Sequence, residues 1–304
     1  MCMMPFAAYL RMLPNGKNKV QILDKTIVLS PQKLEYLRSF DKPPKKAGDF
    51  QYIEIPCGRC FECRQRYASD WSIRCYHESI LHEENTFLTL TYSDEFLPPA
   101  SSLRQRDVQL FLKRLRKSIA PKKIRYFYCG EYGPKTLRPH YHLLLFNYYP
   151  KDAVKVQASK KEGYASAEIM RLWPFGYHIL GNAGYASARY VARYCLKKSS
   201  APLRILGREP EFMRMSRRPG LGFEFLQKYQ TDIYPRDYVV VEGNIVSKPP
   251  RYYDNKLKEY DLALYQRIHN ERLSHKSDLT PQQQYVKGHS KELRYSTIKE
   301  TEVL

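Results

Sequence analysis

Two histidines separated by one residue open an apolar stretch in RPHYHLLLF (138–146). Side chains alternate between the two faces of a strand, so His140 and His142 point the same way and can bind one metal ion. Glu131 ends the preceding predicted strand, and the short link that follows can bring its carboxylate beside them. Such an open three-ligand set accepts Mg²⁺, Mn²⁺, Zn²⁺ or Fe²⁺. Two alternatives remain open: the histidines are polar residues at a sheet rim, and Glu131 pairs with Arg138.

Paired tyrosines lie in GYASARYVARYCLKKSS (184–200), which predicts a helix. Tyr190 and Tyr194 are four residues apart and therefore share a helix face, and Lys197 follows three residues later. A phenolate that attacks a phosphodiester needs its proton removed, a cation for the phosphate and a Lewis acid for the phosphate oxygens. The tyrosines, the lysine and the metal ligands meet these needs. The alternative is that both tyrosines are core residues of an amphipathic helix.

Three cysteines are closely spaced in CGRCFECR (57–64). Cys57, Cys60 and Cys63, completed by Cys75 or by His77, form a candidate zinc site. The alternative is a set of buried thiols at the start of a helix, and nothing nearby suggests the electron transfer that an iron–sulfur cluster would serve. The chain has seven cysteines, an odd count, and shows no export signal, so we expect reduced thiols and a cytoplasmic protein.

The charge of the chain favours a polyanionic partner, because 51 Lys and Arg oppose 31 Asp and Glu, a formal net charge of +20. Two segments carry most of the excess: residues 104–139 have eleven bases and two acids, and residues 187–220 have nine bases and two acids. The partner could be nucleic acid or an anionic membrane surface. The 26 tyrosines favour single-stranded nucleic acid, whose bases stack on aromatic rings. No apolar stretch approaches the length of a membrane span.

The remaining pattern predicts an α+β fold, with a central antiparallel sheet of about five strands backed by helices. The expected divisions are an N-terminal segment (1–85), a core (86–200) and a C-terminal extension (201–304) with a mobile tail. Residues 1–56 look irregular, and residues 215–225 look like a basic loop. The predicted strands are 86–98, 123–131, 138–146 and 175–180, with a hairpin around Gly243 and Asn244, and the predicted helices are 64–82, 107–120, 166–173, 184–200 and 254–275.

Taken together, FLTLTY (87–92), RPHYHLLLF and YVARYCLKK resemble the three motifs of HUH endonucleases, the initiators of rolling-circle replication. With CGRCFECR and MSRRPGLGFEF (215–225), the chain is similar to the initiators of gokushovirus-type microviruses. The resemblance covers residues 57–225. It implies the RRM-like core of HUH endonucleases.

The resemblance also implies a set of roles. His140, His142 and Glu131 would bind Mg²⁺ or Mn²⁺, while Tyr190 or Tyr194 would cut single-stranded origin DNA and leave a 5′-phosphotyrosine bond and a free 3′-OH. The two tyrosines would alternate, and Lys197 would neutralise the phosphate or assist proton transfer. Host polymerase and helicase would be partners in the bacterial cytoplasm. The bases expected to contact DNA are Lys113, Arg116, Arg138, Arg193, Lys198, Arg217 and Arg218.

Three other readings compete with this one. The His–His–Glu set could be the facial triad of a non-haem iron oxygenase, although the tyrosines and the charge would then have no role. A small basic sheet with aromatic residues could simply bind single-stranded DNA or RNA, without metal and without a covalent product. A single-strand transposase or plasmid relaxase would share the nicking chemistry.

Overall fold

The computed structural model describes residues 2–3, 5–15, 17–23, 31–39, 45–46, 49–133, 136–158, 161–194, 207–243, 245–275 and 279–301. The chain divides into two compact units. Unit 1 combines Met1–Tyr67 with Glu271–Leu304, and unit 2 is Ala68–Asn270. The divisions at residues 85 and 200 expected from the sequence stay a prediction. No helix in the described ranges is long and apolar enough to cross a membrane.

In chain order, the strands of the described residues are β1 (Phe6–Met12), β2 (Asn18–Ile22), β3 (Phe50–Ile55), β4 (Asn85–Thr91), β5 (Arg125–Tyr132), β6 (Pro139–Phe146), β7 (Val154–Ala158), β8 (Lys161–Ala165), β9 (His178–Asn182), β10 (Phe212–Met215), β11 (Val239–Glu242) and β12 (Ile245–Ser247). The α-helices are α1 (Pro31–Arg38), α2 (Phe61–Ser79), α3 (Gln105–Ser118), α4 (Ala167–Leu172), α5 (Tyr185–Tyr194), α6 (Phe223–Ile233), α7 (Arg251–Tyr260), α8 (Leu262–Ser274) and α9 (Pro281–Thr301). A 3₁₀ turn spans Pro99–Ser101.

Unit 1 contains a three-stranded antiparallel sheet in the order β2-β1-β3, so the prediction that residues 1–56 are irregular is wrong. Strand β1 buries the adjacent Ala7 and Ala8 and lacks the alternation that marks a strand in a sequence. It is stabilised instead by pairing on both sides and by packing. Its small apolar cluster consists of Ala7, Leu34, Leu37 and Tyr52.

Helix α9 occupies most of the segment for which the sequence predicted a polar, mobile tail. Arg38 of α1 lies between this helix and the sheet. Its guanidinium donates to Glu54 Oε1 at 2.6 Å and to Gln284 Oε1 at 3.2 Å. Further along α9, Lys291 Nζ donates to Glu62 Oε1 at 2.9 Å. Polar contacts therefore join both ends of the chain within unit 1.

Unit 2 is built on a seven-stranded antiparallel sheet in the order β10-β5-β6-β4-β9-β8-β7. This confirms the α+β class and the sheet backed by helices, with seven strands instead of about five. Two of the additional strands form the β7–β8 hairpin, where Val154 is largely exposed. Exposed edge strands need no apolar face, so they leave no alternating pattern in the sequence. Strand β10 adds to the other edge by pairing with β5.

The other predicted elements of unit 2 form with shifted ends. Strand β4 stops at Thr91, and α5 begins at Tyr185 and is described as far as Tyr194. The predicted helix at 254–275 is two helices, because Asp261 interrupts it and its carboxylate accepts the amide of Leu264 at the start of α8. The hairpin around Gly243 is β11–β12, and Asn244 lies outside the described residues.

Helices cover both faces of the large sheet. One face packs against α3 and α4 and buries large side chains, among them Leu90, Phe111 and Trp173. The other face packs against α2 and α5 and buries Phe127, Leu144 and Val191. Burying one such side chain stabilises the fold by roughly 1.5–3 kcal/mol. Because Leu144 shares its face with His142 and His140, the second face also carries the polar residues of the predicted site.

Candidate functional site

The β5–β6 hairpin brings the predicted metal ligands together. Glu131 lies directly opposite His140 in the antiparallel register, and Cys129 lies opposite His142. Side chains opposite each other in a sheet share a face, with Cβ atoms about 4.5–5.5 Å apart. His142 Nε2 lies 2.8 Å from Glu131 Oε1, and both side chains are buried.

Thr89 of the neighbouring strand β4 fixes the other side of the His142 ring. Its Oγ1 lies 3.0 Å from His142 Nδ1, and the two residues are opposite each other in the β4–β6 register. A carboxylate only accepts, so Nε2 donates to Glu131 and Nδ1 accepts from the Thr89 hydroxyl. A hydroxyl can also accept, so Thr89 suits a His142 that binds a metal through Nε2 and carries its proton on Nδ1. The sequence placed Thr89 on this face without a role.

The hairpin turn explains why Gly133 stands next to the site, a residue that the sequence argument missed. A Cβ at this position would lie 2.9 Å from Nε2 of His140 and 3.7 Å from the carbonyl oxygen of Arg138. The amide of Gly133 donates to that carbonyl at 2.9 Å and closes the turn. Only glycine leaves the His140 ring its place.

One ring nitrogen of His140 is buried without a hydrogen bond. This atom, Nδ1, has no hydrogen-bond partner among the described residues. Burial lowers the pKa of His140, and the nearby His142 lowers it further, while Glu131 acts in the opposite direction. The lowered pKa favours a neutral imidazole, the form that binds metals.

Tyr190 of α5 lies against this group. Its ring meets the His142 ring edge to face, with centroids 5.3 Å apart, and it meets Phe87 in the same way at 5.9 Å. Ala188 and Val191 are buried on the sheet and set the position of the helix, and the Ser187 hydroxyl caps its start through Gly184. Tyr190 remains 40% exposed, so its hydroxyl is accessible to a large substrate.

Several predicted residues fall outside what the structure describes. The backbone of α5 reaches Tyr194, but the side chains of Arg193 and Tyr194 are not described. Lys197 and Lys198 lie wholly outside the described residues. Their roles remain predictions.

The predicted DNA-contacting bases separate into two groups. Arg116, Arg217 and Arg218 line one cavity of about 1000 Å³ in unit 2, whereas Lys113 is exposed on α3 and does not line it. Arg138 instead donates to Asp94 Oδ1 at 2.5 Å and to the carbonyl of Tyr92. The sequence did not single out the other bases of the cavity, which are His82, Lys123, Arg125 and Arg214.

The cavity combines positive charge with an aromatic wall. Arg217 and Arg218 are exposed and form no ion pair with a described residue, while Arg125 is paired with Glu78 at 3.1 Å. The Arg116 guanidinium lies 5.3 Å from the centre of the Tyr126 ring. Arg125 and Glu131 are six residues apart on β5, so the cavity lies about 20 Å along the strand from the histidines.

The cysteine cluster of unit 1 comprises Cys2, Cys57, Cys60 and Cys63, and it could hold a metal such as zinc. Cys75, the predicted fourth ligand, is wrong. It lies twelve residues beyond Cys63 on α2, about 18 Å along the helix, and is buried against the large sheet. Among the described residues, this cluster is the one group of three or more ligand side chains with donor atoms within 4.8 Å of one another. The donors of Glu131, His140 and His142 are therefore spread more widely.

Comparison with known proteins gives a consistent result. Residues 85–199 match a family model of replication-associated proteins, the ORF2 family. The chain is similar to the replication-associated protein VP4 of Bdellovibrio phage phiMH2K, with 34% identity over 73% of this chain and 72% of that protein. It is also similar to the replication-associated protein ORF2 of Spiroplasma virus 4 (34% identity, 67% of this chain and 68% of that protein) and to ORF4 of Chlamydia phage 1 (27%, 80% and 65%). No solved structure matches the chain.

Proposed function

Because the chain belongs to the family of phage replication-associated proteins, we propose that it initiates rolling-circle replication by nicking single-stranded origin DNA and later rejoining the strands. A tyrosine of α5 is the nucleophile. The observation that carries this proposal is the edge-to-face contact of Tyr190 with His142, on the sheet face that also holds Glu131 and His140.

In the nicking step, the phenol oxygen of Tyr190 attacks the scissile phosphorus. A Tyr–O–P bond to the 5′ side forms, and the bond from phosphorus to the 3′ oxygen breaks. The phenol proton leaves, and the departing 3′ oxygen takes up a proton to become the 3′-OH from which a host polymerase would extend. The bond energy is retained in the phosphotyrosine link, so rejoining by attack of a 3′-OH needs no nucleotide cofactor.

The residues on the sheet fit a divalent metal ion, with His140, His142 and Glu131 as ligands. Two observations support the fit: two imidazoles with a carboxylate are an established ligand set, and the buried Nδ1 of His140 has no partner among the described residues. A bound Mg²⁺ or Mn²⁺ would stabilise negative charge on the phosphate oxygens. Thr89 orients the His142 ring, and Gly133 leaves room for the His140 ring.

Tyr194 and Lys197 extend the proposal beyond the described side chains. Tyr194 follows Tyr190 by four residues on the same helix face, so it would cut the regenerated origin while Tyr190 is still bonded to the first 5′ end. Lys197 would neutralise the phosphate.

The basic cavity would bind a part of the DNA strand away from the scissile phosphate. Its arginines and Lys123 suit phosphates, and Tyr126 offers a ring on which a base can stack. Binding should therefore weaken steeply as salt increases.

The decisive experiment looks for a covalent adduct. The full chain is mixed with Mn²⁺ or Mg²⁺ and with 5′- or 3′-labelled single-stranded oligonucleotides that tile the origin region, and denaturing gels show which label stays on protein. We expect an adduct carrying the DNA on the 3′ side of the cut. It should be absent with EDTA, with His142→Ala and with Tyr190→Phe/Tyr194→Phe.

Tyr260→Phe is the matched control, because Tyr260 is an exposed tyrosine on α7 of the same unit. It should form the adduct as the parent does. Tight binding without cleavage of any oligonucleotide, in either metal, would leave a non-catalytic single-strand binding protein as the better account.

The cavity is tested separately by the salt dependence of binding. Arg217→Ala/Arg218→Ala should flatten the slope of log K against log salt by about 1.4, because each phosphate contact on a single strand contributes about 0.7. Arg236→Ala, an exposed arginine outside the cavity lining, is the control. An unchanged slope in the double variant would rule out phosphate contacts by these two arginines.

A further inference from the structure

The cysteine cluster of unit 1 has dimensions that suit a tetrahedral metal. All four sulfur atoms lie within 4.8 Å of one another, and Sγ of Cys2 is 3.7 Å from Sγ of Cys60. Zinc–thiolate bonds of 2.3 Å in a tetrahedron place neighbouring sulfurs about 3.8 Å apart. A disulfide needs an S–S distance near 2.05 Å, and none joins the cysteines of the described ranges.

Backbone amides already point at the sulfur atoms. Sγ of Cys57 accepts from the amides of Arg59 at 3.4 Å and Cys60 at 3.3 Å, and Sγ of Cys2 accepts from the amide of Cys57 at 3.3 Å. Hydrogen bonds of this kind stabilise the negative charge of a thiolate more than a neutral thiol. Gly58, with a φ of +68°, produces the tight turn that directs these amides.

The start of α2 adds to this electrostatic environment. Cys60 directly precedes the first helical residue, Phe61, and Cys63 lies in the first turn. The amino end of a helix carries partial positive charge and lowers the cost of ionising a cysteine placed there. Cys2 comes from the other side, ahead of β1, so the cluster connects two parts of unit 1 that are far apart in sequence.

Unit 1 also needs an additional source of stability. The buried apolar cluster on its three-stranded sheet consists of four residues, with Tyr9 packed against it, in the part of the chain that the structure describes. Small folding units with so little apolar burial are usually stabilised by disulfides or by a structural metal.

We propose that Cys2, Cys57, Cys60 and Cys63 bind one Zn²⁺ as a closed, structural tetrathiolate site. The ion joins the segment before β1 to the turn before α2 and stabilises unit 1. It is separate from the nuclease chemistry and takes no part in it. Four sulfur ligands leave no open position for water or substrate, so the site is structural.

Metal analysis of the purified full chain, grown in medium containing both zinc and iron, is the first test. We expect about one zinc per chain, retained through gel filtration in dilute EDTA. A mercurial thiol reagent should release the zinc as it titrates four thiols. Co²⁺ exchanged into the site should show the absorption of tetrahedral cobalt with thiolate ligands.

Cys2→Ala is the variant that tests the new ligand, and Cys75→Ala is its matched control. Cys2→Ala should weaken zinc binding by roughly 100-fold or more, and Cys2→His should restore it, because three cysteines and a histidine also form zinc sites. Cys75→Ala should keep one zinc per chain. This comparison holds even where Cys2→Ala lowers the stability of unit 1, because the parent and Cys75→Ala are both measured folded.

Three results would overturn the proposal. They are a parent protein without zinc whose thiols all react at once, a chain that carries iron and acid-labile sulfide, and equal zinc affinity in Cys2→Ala and Cys75→Ala. The nicking assay is read independently, so failure of the zinc site does not affect the proposed function.

Discussion

The histidine–glutamate group of unit 2 and the cysteine cluster of unit 1 are assembled in different ways. The first lies on three adjacent strands, and its ligands are spaced by the sheet register more widely than a bound ion would require. The second lies at a turn and a helix start, and its sulfurs already have nearly tetrahedral spacing. Three hard or borderline ligands leave positions for a substrate, whereas four thiolates do not.

The difference indicates how each site relates to stability. The sheet that carries Glu131 and His142 is held by apolar packing on both faces, so the metal there is an addition to a finished fold. Unit 1 has little apolar packing, so the metal there is part of the fold. Metal loss should therefore abolish activity in one case and structure in the other.

Chelation gives the largest contrast. Brief exposure of the full chain to EDTA should abolish nicking completely, and excess Mg²⁺ or Mn²⁺ should restore it, while zinc and the circular dichroism spectrum remain unchanged. Removal of zinc with a mercurial reagent should instead expose unit 1 to limited proteolysis. If the two metals leave together in EDTA and activity cannot be restored, the distinction between an open and a closed site is wrong.

Glu131→Gln tests the open site with almost no change in shape. The amide can keep a hydrogen bond to His142 but carries no charge for a metal ion. We expect the single-turnover nicking rate to fall by roughly 100-fold, with thermal stability close to that of the parent. Glu168→Gln is the control, because Glu168 makes its hydrogen bonds to Ser118 and Tyr148, away from the site. Equal losses in both variants would mean that Glu131 has no special role.

The same comparison shows what the sequence could predict. Glu131, His140 and His142 lie within twelve residues on one hairpin, so strand alternation and a short link were enough to bring them together. The contact between Tyr190 and His142 depends on how α5 packs on the sheet, which no local pattern states. The family resemblance, and not periodicity, linked the tyrosines to the histidines.

Other features depended on contacts between distant parts of the chain. Cys2 precedes Cys57 by 55 residues and has no motif of its own, whereas Cys75 continues a run of cysteines and attracted the prediction. Gly133 matters because of the His140 ring, and β7 and β8 are exposed strands without an apolar pattern. In each case the cause is tertiary, so the sequence alone could not supply it.

His77 offers a third kind of histidine with which to sharpen the comparison. Its Nε2 donates to the carbonyl of Val240 at 3.1 Å, its Nδ1 accepts from the hydroxyl of Tyr253 at 2.9 Å, and its ring stacks on Phe225. Burial lowers the pKa of His77 from 6.5 to about 4. Between these values the unfolded chain binds more protons than the folded chain, so stability is complete above about pH 6.5 and is lost as the pH falls towards 4.

From this shift, acidification from pH 7 to pH 5 should cost about 2 kcal/mol of unfolding free energy through His77 alone. Urea titrations of the parent and of His77→Gln at both pH values measure this difference, since glutamine does not titrate. The variant should lose this part of the pH dependence and keep the nicking rate per folded molecule. His140→Ala should do the reverse, and a loss of nicking in folded His77→Gln would break the contrast between structural and ligand histidines.

The smallest effect should come from Thr89→Val, which removes one hydroxyl and keeps the side-chain shape. Without that hydroxyl, the His142 ring loses the partner of Nδ1 that fixes its orientation, so the affinity for Mn²⁺ should fall by about 10-fold. Saturating metal should restore the parent rate, because Thr89 acts through His142 and not on the substrate. Thr91→Val is the control, since the Thr91 hydroxyl lies on the same face but donates to the carbonyl of Tyr177. If metal at saturation does not rescue Thr89→Val, the hydroxyl contributes more than orientation, and Thr89 would have to contact the DNA directly.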